Sequence, residues 1–149
     1  MSKRVVVSSL IGVAVLGAVA AGGPAMASTA TEPALEGGSA RYLAPSGSSA
    51  GSLTFTADVR DDSGVRGLEV LSWPARSKLD PTETELRHAD DATCRGTSDG
   101  TSRCTCTLKV TRQEAAELDR GAWYVSAPAV AGDGDTVFLP RAAAFDVGR

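Results

Sequence analysis

Three cysteines, Cys94, Cys104 and Cys106, lie within the thirteen-residue segment CRGTSDGTSRCTC. Cysteines this close together can bind a metal, act as a nucleophile or form a disulfide. A zinc site needs about four Cys or His ligands, usually in paired short spacings. The chain has one histidine, the distant His88, so this segment does not supply such a set. A disulfide with one cysteine left over is the prediction for a protein of an oxidising compartment.

The predicted pairing is Cys94 with Cys104, on the assumption that the flanking segments form a β-hairpin. This register gives the loop Ser98-Asp99-Gly100, whose glycine suits the left-handed conformation that a three-residue loop requires. Pairing Cys94 with Cys106 would place Thr101 in that conformation, which is costly for a β-branched residue. Cys106 is predicted to be a buried free thiol that packs as a small apolar residue.

Two features of this hairpin stay open. A two-residue turn at Asp99-Gly100 is also compatible with the sequence, but it sets Cys94 opposite Thr105 and leaves no facing cysteine pair. The preferred register also places Arg95 opposite Arg103, which is a mildly unfavourable pair of like charges.

Two further patterns raise the question of catalysis. His88 lies beside Asp90 and Asp91, but no nucleophile is near it in the sequence, and a solvated surface residue is the preferred interpretation. Residues 96–100 match G-x-S-x-G, which works on the strand-to-helix turn of a large α/β hydrolase fold. This chain is too short for that fold. We therefore predict no catalytic residue, no cofactor and no enzymatic activity.

Two acidic turns contain Asp61 and Asp62, and Asp133 and Asp135. In a sandwich whose loops share one end, these carboxylates would converge, and converging oxygens are the ligands that Ca²⁺ prefers. Asp and Gly are also the ordinary residues of turns. The sequence leaves the calcium question open, and we assign no metal site.

The first 27 residues have the pattern of a secretory signal peptide. Lys3 and Arg4 precede the apolar run from Val5 to Ala21, and Ala25-Met26-Ala27 supplies the small-x-small cleavage pattern. A transmembrane anchor is the alternative, but the run is short and no basic stop-transfer cluster follows. We expect a secreted, extracellular protein that leaves the membrane after cleavage.

The charge and the length of the chain limit the possible partners and the number of domains. The chain has 15 basic and 18 acidic residues, and cleavage removes two of the basic ones. The absence of a basic stripe argues against nucleic acid and anionic membrane as partners. The predicted mature chain fits one domain with its own core. We divide the chain into the signal peptide (1–27), a flexible lead-in (28–38) and one domain (39–149).

Alternating apolar and polar residues predict about seven short strands separated by turns. The clearest strand is 52–60 (SLTFTADVR), and others lie at 39–43, 65–73, 104–111, 123–129 and 136–147. Pro128 indicates an edge strand or a bulge, and Pro140 interrupts the last run. Phe145 and Val147 are expected in the core. The pattern predicts an all-β, antiparallel β-sandwich.

Two short helical patches are expected as crossovers between strands. In the first, Asp80 is the predicted N-cap and Pro81 suits the first helical position. In the second, Thr111 and Glu114 form a T-x-x-E capping box, and Gly121 is expected to close the helix.

The strands also resemble a known module. GSLTFTADVRDDSGVRGLEVLSW, followed by GAWYVSAPAVAGDGDT, is similar to strands two, three and six of immunoglobulin-like bacterial modules. This resemblance implies an immunoglobulin-like sandwich without the inter-sheet disulfide of antibody domains. The whole chain resembles small secreted actinomycete proteins that contain one domain of unknown function.

These observations favour a non-enzymatic extracellular module, expected to be a monomer, that binds a protein or a cell-wall polymer. The alternative is a small secreted inhibitor of extracellular proteases, which would present the loop from Arg95 to Arg103. A rigid loop lowers the ordering cost of binding, which suits that role.

The cleavage pattern gives the first prediction. Protein recovered from the culture medium should begin at Ser28, because the peptidase should cut after Ala27. Intact-mass measurement checks this result. A full-length chain retained in the membrane fraction would contradict the assignment.

Overall fold

The computed structural model describes residues 32–79, 81–85 and 89–148. Within these residues the chain forms eight strands and one short α-helix. The strands are β1 (Ala34–Leu43), β2 (Gly51–Arg60), β3 (Val65–Pro74), β4 (Asp90–Asp91), β5 (Thr93–Ser98), β6 (Thr101–Val110), β7 (Gly121–Ala131) and β8 (Thr136–Val147). The helix is α1 (Arg112–Glu117), and two 3₁₀ turns cover Ala75–Ser77 and Glu83–Glu85.

The strands form two four-stranded antiparallel sheets. The first sheet has the order β1-β2-β6-β5 and the second has the order β4-β3-β7-β8. The predicted all-β antiparallel sandwich is therefore confirmed. The eighth strand is the two-residue β4, which is too short to produce an alternating pattern in the sequence.

The core lies between the two sheets and begins with β2, where every second residue from Leu53 to Val59 is buried. Leu68 and Val70 of β3 and the small residues of β7 complete the opposite layer. Phe145 and Val147 are buried in the same cluster, as predicted. Alternation works here because side chains of a strand point to opposite faces, so one face is buried and the other stays polar.

Pro128 does not mark an edge. It lies in β7, which is paired on both sides, with β3 and with β8. The pairs of β3 with β7 run from Leu68–Ala129 directly to Leu71–Ser126, so the ladder is interrupted opposite Pro128, where there is no N–H to donate. The register of β7 on β8 also shifts beside this point, between Val125 and Ala127. The predicted edge is thus wrong, and a bulge accompanies the proline.

Pro140 interrupts β8 and is held by a buried hydroxyl. The fully buried Ser126 donates its Oγ–H to the Pro140 carbonyl oxygen at 2.7 Å, and its Oγ accepts the indole N–H of Trp73 at 2.9 Å. A buried polar group without such partners would be costly. Ser126 therefore fixes the bulge of β8 and the Trp73 side chain together.

The first strand begins at Ala34, five residues earlier than the sequence predicts, so the flexible lead-in of residues 28–38 is wrong from Ala34 onward. The first half of β1 contains a β-bulge between Glu36 and Ser39, where Gly37 has a φ of 64°. Because such a bulge suits glycine, this part of the strand lacks the residue types that are typical of strands. Residues 28–31 and the predicted signal peptide lie outside the described residues.

The second helical patch is confirmed as α1, including its capping box: Glu114 N–H donates to Thr111 Oγ1, and Thr111 N–H donates to the Glu114 carboxylate. The helix ends at Leu118, earlier than expected, and Gly121 (φ 110°) opens β7 instead of closing the helix. The first patch contains only the turn Glu83–Glu85, and Asp80 lies outside the described residues.

The bulge of β1 gives the second prediction. A Cβ on Gly38 would overlap the carbonyl oxygen of Ala142 in β8, whereas a Cβ on Gly67 would meet no atom within 4 Å. Gly38→Ala should lower the free energy of unfolding by about 1–3 kcal/mol, as overpacking does. Gly67→Ala, the matched control, should cost nothing, because alanine is otherwise preferred to glycine in a strand. Urea denaturation of both variants measures the difference, and equal stability of the two would contradict this packing.

Candidate binding surface

The Cys94–Cys104 disulfide joins the edge strand β5 to β6. The two residues face each other directly across the hairpin, with their Cα atoms 4.0 Å apart. Cys104 is fully buried beneath the first sheet, while Cys94 is half-buried at its edge. The predicted disulfide is present, and it holds an edge strand that would otherwise be bound by its backbone hydrogen bonds on one side only.

The turn of this hairpin differs from the predicted three-residue loop. Ser98 pairs with Thr101, so the loop is the two-residue Asp99-Gly100, and the register shifts between Gly96 and Ser98. The extra residue in the bulge, Thr97, compensates for the shorter loop. The bulge therefore allows the two-residue turn and the facing cysteines to occur together, which the sequence alone presented as alternatives.

Gly100 also ties the hairpin tip to the neighbouring turn. Its φ is 71°, and a Cβ would come within 2.8 Å of the Asp61 carbonyl oxygen. Asp61 N–H donates to the Gly100 carbonyl at 2.7 Å. Glycine is required here both by the positive φ and by the close approach of the two backbones.

Cys106 is buried and free, two residues from Cys104 on the core-facing side of β6. Burial raises the pKa of the Cys106 thiol, and the nearby carboxylates Asp90 and Asp91 raise it further. Because the thiolate is the reactive form, a raised pKa makes this thiol a poor nucleophile. Cys106 therefore belongs to the core.

The outward face of the first sheet is lined with hydroxyl groups, which we call the threonine face. Its central residues are Thr54 and Thr56 of β2, Thr105 and Thr107 of β6, and Thr93 of β5. The register places Thr54 opposite Thr107, with their hydroxyl oxygens 3.5 Å apart. Thr56, Thr105 and Thr93 form a row across three strands. Rows in neighbouring strands lie about 4.8 Å apart, so the hydroxyls form a regular array.

Charged side chains border this array. Arg103 pairs with the directly opposite Asp58 through two hydrogen bonds, Nε to Oδ1 at 2.9 Å and the terminal nitrogen to Oδ2 at 3.0 Å. The hydrogen bond from Arg103 lowers the pKa of Asp58. This pairing turns Arg103 away from Arg95, and it relieves the like-charge contact that the register implies. Within the described residues, no ion pair engages Arg95.

A groove of about 660 Å³ runs over the β5 side of the threonine face. Its lining combines hydroxyls, two guanidinium groups and one carboxylate, and it includes the almost fully buried Cys106. The residues are Asp91, Thr93, Arg95, Thr97, Arg103, Thr105, Cys106 and Thr107. Such a lining offers hydrogen-bond donors and acceptors and a positive charge, and no aromatic surface.

The charges of the first sheet's outward face are mainly positive, although the whole chain has a net charge of −3. The basic residues there are Arg41, Arg60, Arg95, Arg103 and Lys109, against the acidic Glu36 and Asp58. Basic residues therefore outnumber acidic ones on this face, and Arg103 is already paired with Asp58.

The two acidic turns do meet at one end of the sandwich. Ser63 connects them: its N–H donates to Asp61 Oδ1, and its Oγ accepts the N–H of Asp133. Asp135 N–H donates to the Asp133 carboxylate. Among the described residues no group of three or more His, Cys, Asp or Glu side chains is arranged to hold a metal ion. One carboxylate oxygen each of Asp61 and Asp133 accepts hydrogen bonds within the turns, while the buried Oδ2 of Asp61 has no hydrogen-bond partner in the described part of the chain.

His88 lies outside the described residues. The G-x-S-x-G segment, residues 96–100, contains the end of β5 and the turn before β6, which is not the strand-to-helix turn of a hydrolase. Its Thr97 lines the groove. The sequence analysis placed Arg95 opposite Arg103 in an exposed loop, but it did not predict the Asp58–Arg103 ion pair or the array of threonine hydroxyls. The repeated T-x-T pattern of β2 and β6 was a signal for the array.

Comparison with known protein families identifies one match. A family model described as "Family of unknown function (DUF5707)" matches residues 35–129, which is more than half of the chain. The chain belongs to the DUF5707 family. The match extends from β1 into β7 and includes the whole disulfide hairpin. No curated protein matches this DUF5707 chain. No helix among its described residues is long and apolar enough to cross a membrane.

The cysteine geometry gives the third prediction. Iodoacetamide should fail to modify Cys106 in the folded DUF5707 protein and should modify it rapidly after unfolding, because the thiol is buried and its raised pKa keeps it protonated. Non-reducing peptide mapping should recover a Cys94–Cys104 peptide. Fast alkylation of the native protein, or a Cys94–Cys106 peptide, would show that the hairpin register is wrong.

Proposed function

We propose that this DUF5707 protein is a secreted, non-enzymatic binding module that binds an anionic, hydroxyl-rich wall polymer through the threonine face. The observation on which the proposal depends is Arg95: a guanidinium without an ion pair among the described residues, in a groove lined by threonine hydroxyls.

The side chains fit such a polymer. A guanidinium group can bind a carboxylate or phosphate through two parallel hydrogen bonds, and these charge-assisted bonds are stronger than neutral ones. A threonine hydroxyl can donate or accept, which suits the hydroxyl groups of a sugar or polyol. A repeating polymer can contact several hydroxyls of the array at once, and multiple weak contacts raise the overall affinity.

A polymer is a better partner for this face than a protein. The core of a protein interface is enriched in aromatic residues, methionine and arginine, and its buried centre is largely apolar. The groove contains no aromatic residue. Among the described residues, the exposed large apolar side chains are Leu43 and Leu79, which do not form a contiguous patch on the threonine face.

The disulfide supports the same proposal. It fixes the edge strand β5, on which Arg95 and Thr93 lie, and a pre-organised surface loses less entropy on binding. Disulfides persist in oxidising compartments, in agreement with the predicted signal peptide. The strand order, A-B-E-D and C′-C-F-G when lettered along the chain, supports an immunoglobulin-like interpretation of the sandwich.

The protease-inhibitor hypothesis gains support from one observation, the disulfide that flanks residues 95–103. Within that segment, however, the backbone is paired across the hairpin at Gly96–Ser102 and at Ser98–Thr101. Backbone N–H and C=O groups that are paired within the hairpin are not free to form hydrogen bonds in the cleft of a protease. The polymer hypothesis therefore has the stronger structural support.

Affinity electrophoresis tests the proposal and gives the fourth prediction. Gels containing polygalacturonate or poly(glycerol phosphate) should retard the purified protein, and gels containing neutral dextran should not. Arg95→Gln should weaken the interaction about tenfold or more, since hydrogen bonds to charged groups contribute about 1.5–3 kcal/mol. Thr105→Val should weaken it less.

Arg112→Gln is the matched control, because it removes the same charge from the exposed start of α1, away from the threonine face. It should leave retardation nearly unchanged. An equal loss of retardation in Arg95→Gln and Arg112→Gln would show that net charge alone causes the retardation. An acidic gel that fails to retard the unmodified protein would refute the polymer hypothesis. Stoichiometric inhibition of subtilisin or trypsin would instead favour the inhibitor hypothesis.

A further inference from the structure

A pocket of about 260 Å³ lies between the two sheets, at the end of the sandwich where β6 continues into α1. It differs from the groove of the threonine face, with which it shares no lining residue, and apart from Lys109 its residues on β6 face the core. Aromatic and aliphatic side chains form most of its wall: Tyr42, Trp123, Phe145, Leu53, Leu108 and Leu118.

Three aromatic rings form a continuous apolar wall. The Phe145 ring stacks against Tyr42 on one side and Trp123 on the other, at centroid distances of 6.4 and 5.9 Å. The indole N–H of Trp123 donates to the Asp119 carbonyl at 2.7 Å. Because its polar group is already bonded, Trp123 offers the pocket only apolar surface.

Two hydroxyl groups reach this apolar space. Ser72 continues the core-facing series of Leu68 and Val70 on β3, at a position where a further aliphatic residue would have closed the space. No described residue accepts or donates a hydrogen bond to the Ser72 or Tyr42 hydroxyl. Both residues are partly exposed, so their hydroxyls are free to bond to water or to the polar group of a ligand.

One side of the pocket is formed by α1 and the residue that follows it. The exposed Glu114 marks the mouth, beside Leu118, the C-cap of the helix. The helix has no buried residue of its own, although Leu118 is partly buried against the core. An element with little buried apolar surface opens at low cost. Lys109 and Glu114 place opposite charges at the mouth, and this balance gives no preference for an ionic ligand.

We propose that this pocket binds a small neutral amphipathic molecule, with an aromatic or alkyl body against the three rings and one hydroxyl or carbonyl group at Ser72 and Tyr42. The pocket has the volume of roughly nine liquid water molecules, which limits the ligand to the size of a substituted benzene or a short alcohol. A largely apolar pocket with a few polar groups is the usual form of a small-molecule site.

Nuclear magnetic resonance titration with benzyl alcohol and toluene tests this fifth prediction. Both probes should shift the amide signals of Ser72 and Leu108 and the indole N–H of Trp123 in a saturable way. Ser72→Ala should weaken the binding of benzyl alcohol about fivefold, which is the effect of losing one hydrogen bond. The same substitution should leave the affinity for toluene unchanged. Ser52→Ala, on the outward face of β2, is the matched control and should change neither affinity.

Leu118→Trp should block the mouth of the pocket and weaken the binding of both probes at least tenfold. The melting temperature of this variant checks that it is folded. The proposal is overturned if neither probe gives saturable shifts at the pocket, or if Ser72→Ala leaves both affinities unchanged. Undiminished binding to a folded Leu118→Trp variant would overturn it as well. The result does not depend on polymer binding, which Arg95→Gln measures separately.

Discussion

The two-residue period of β2 is the constraint on which the rest of the structure depends. Every second residue from Leu53 to Val59 is buried, so the residues between them must face outward. A slip of one residue between β2 and either neighbour would expose the apolar set and bury the polar one. Both β1 and β6 are locked to this period. The regular rows of the threonine face are thus a consequence of burying the core.

A second set of contacts joins the sheets at one end. Asp61 is almost fully buried: its N–H bonds to the hairpin tip of the first sheet, and its carboxylate accepts from Ser63, which holds the β7–β8 turn at Asp133. The Oδ1 atoms of Asp61 and Asp133 thus hold the two turns by hydrogen bonds, and among the described residues the carboxylates do not converge as a group of three or more metal ligands.

The sequence predicted those features that repeat over several residues, and it failed where a single residue departs from the repeat. The strands at 52–60 and 104–110 and the capping box of α1 were predicted because each has a local pattern. The start of β1 was missed because Gly37 and Gly38 suit a bulge that packs on β8, which is a tertiary requirement. Pro128 was predicted to mark an edge or a bulge, and only the bulge occurs, because β7 is paired on both sides. The pairing of Cys94 with Cys104 was predicted correctly, but the predicted three-residue turn was wrong. One bulged residue, Thr97, shortens the loop to two residues while the cysteines still face each other.

The structure also explains why a ligand in the core pocket need not disturb the threonine face, although β6 contributes to both. Thr105 is the last residue of β6 that pairs with β5, at Thr93, so the strand from Thr101 to Thr105 is bonded on both sides and is held by the disulfide. Beyond that point, Leu108 is paired with β2 alone. Segments bonded on one side and covered by a helix without buried residues open more readily than doubly bonded ones. The two proposed ligands would therefore use parts of β6 that differ in how firmly they are held, the small molecule the singly paired end and the polymer the doubly paired one.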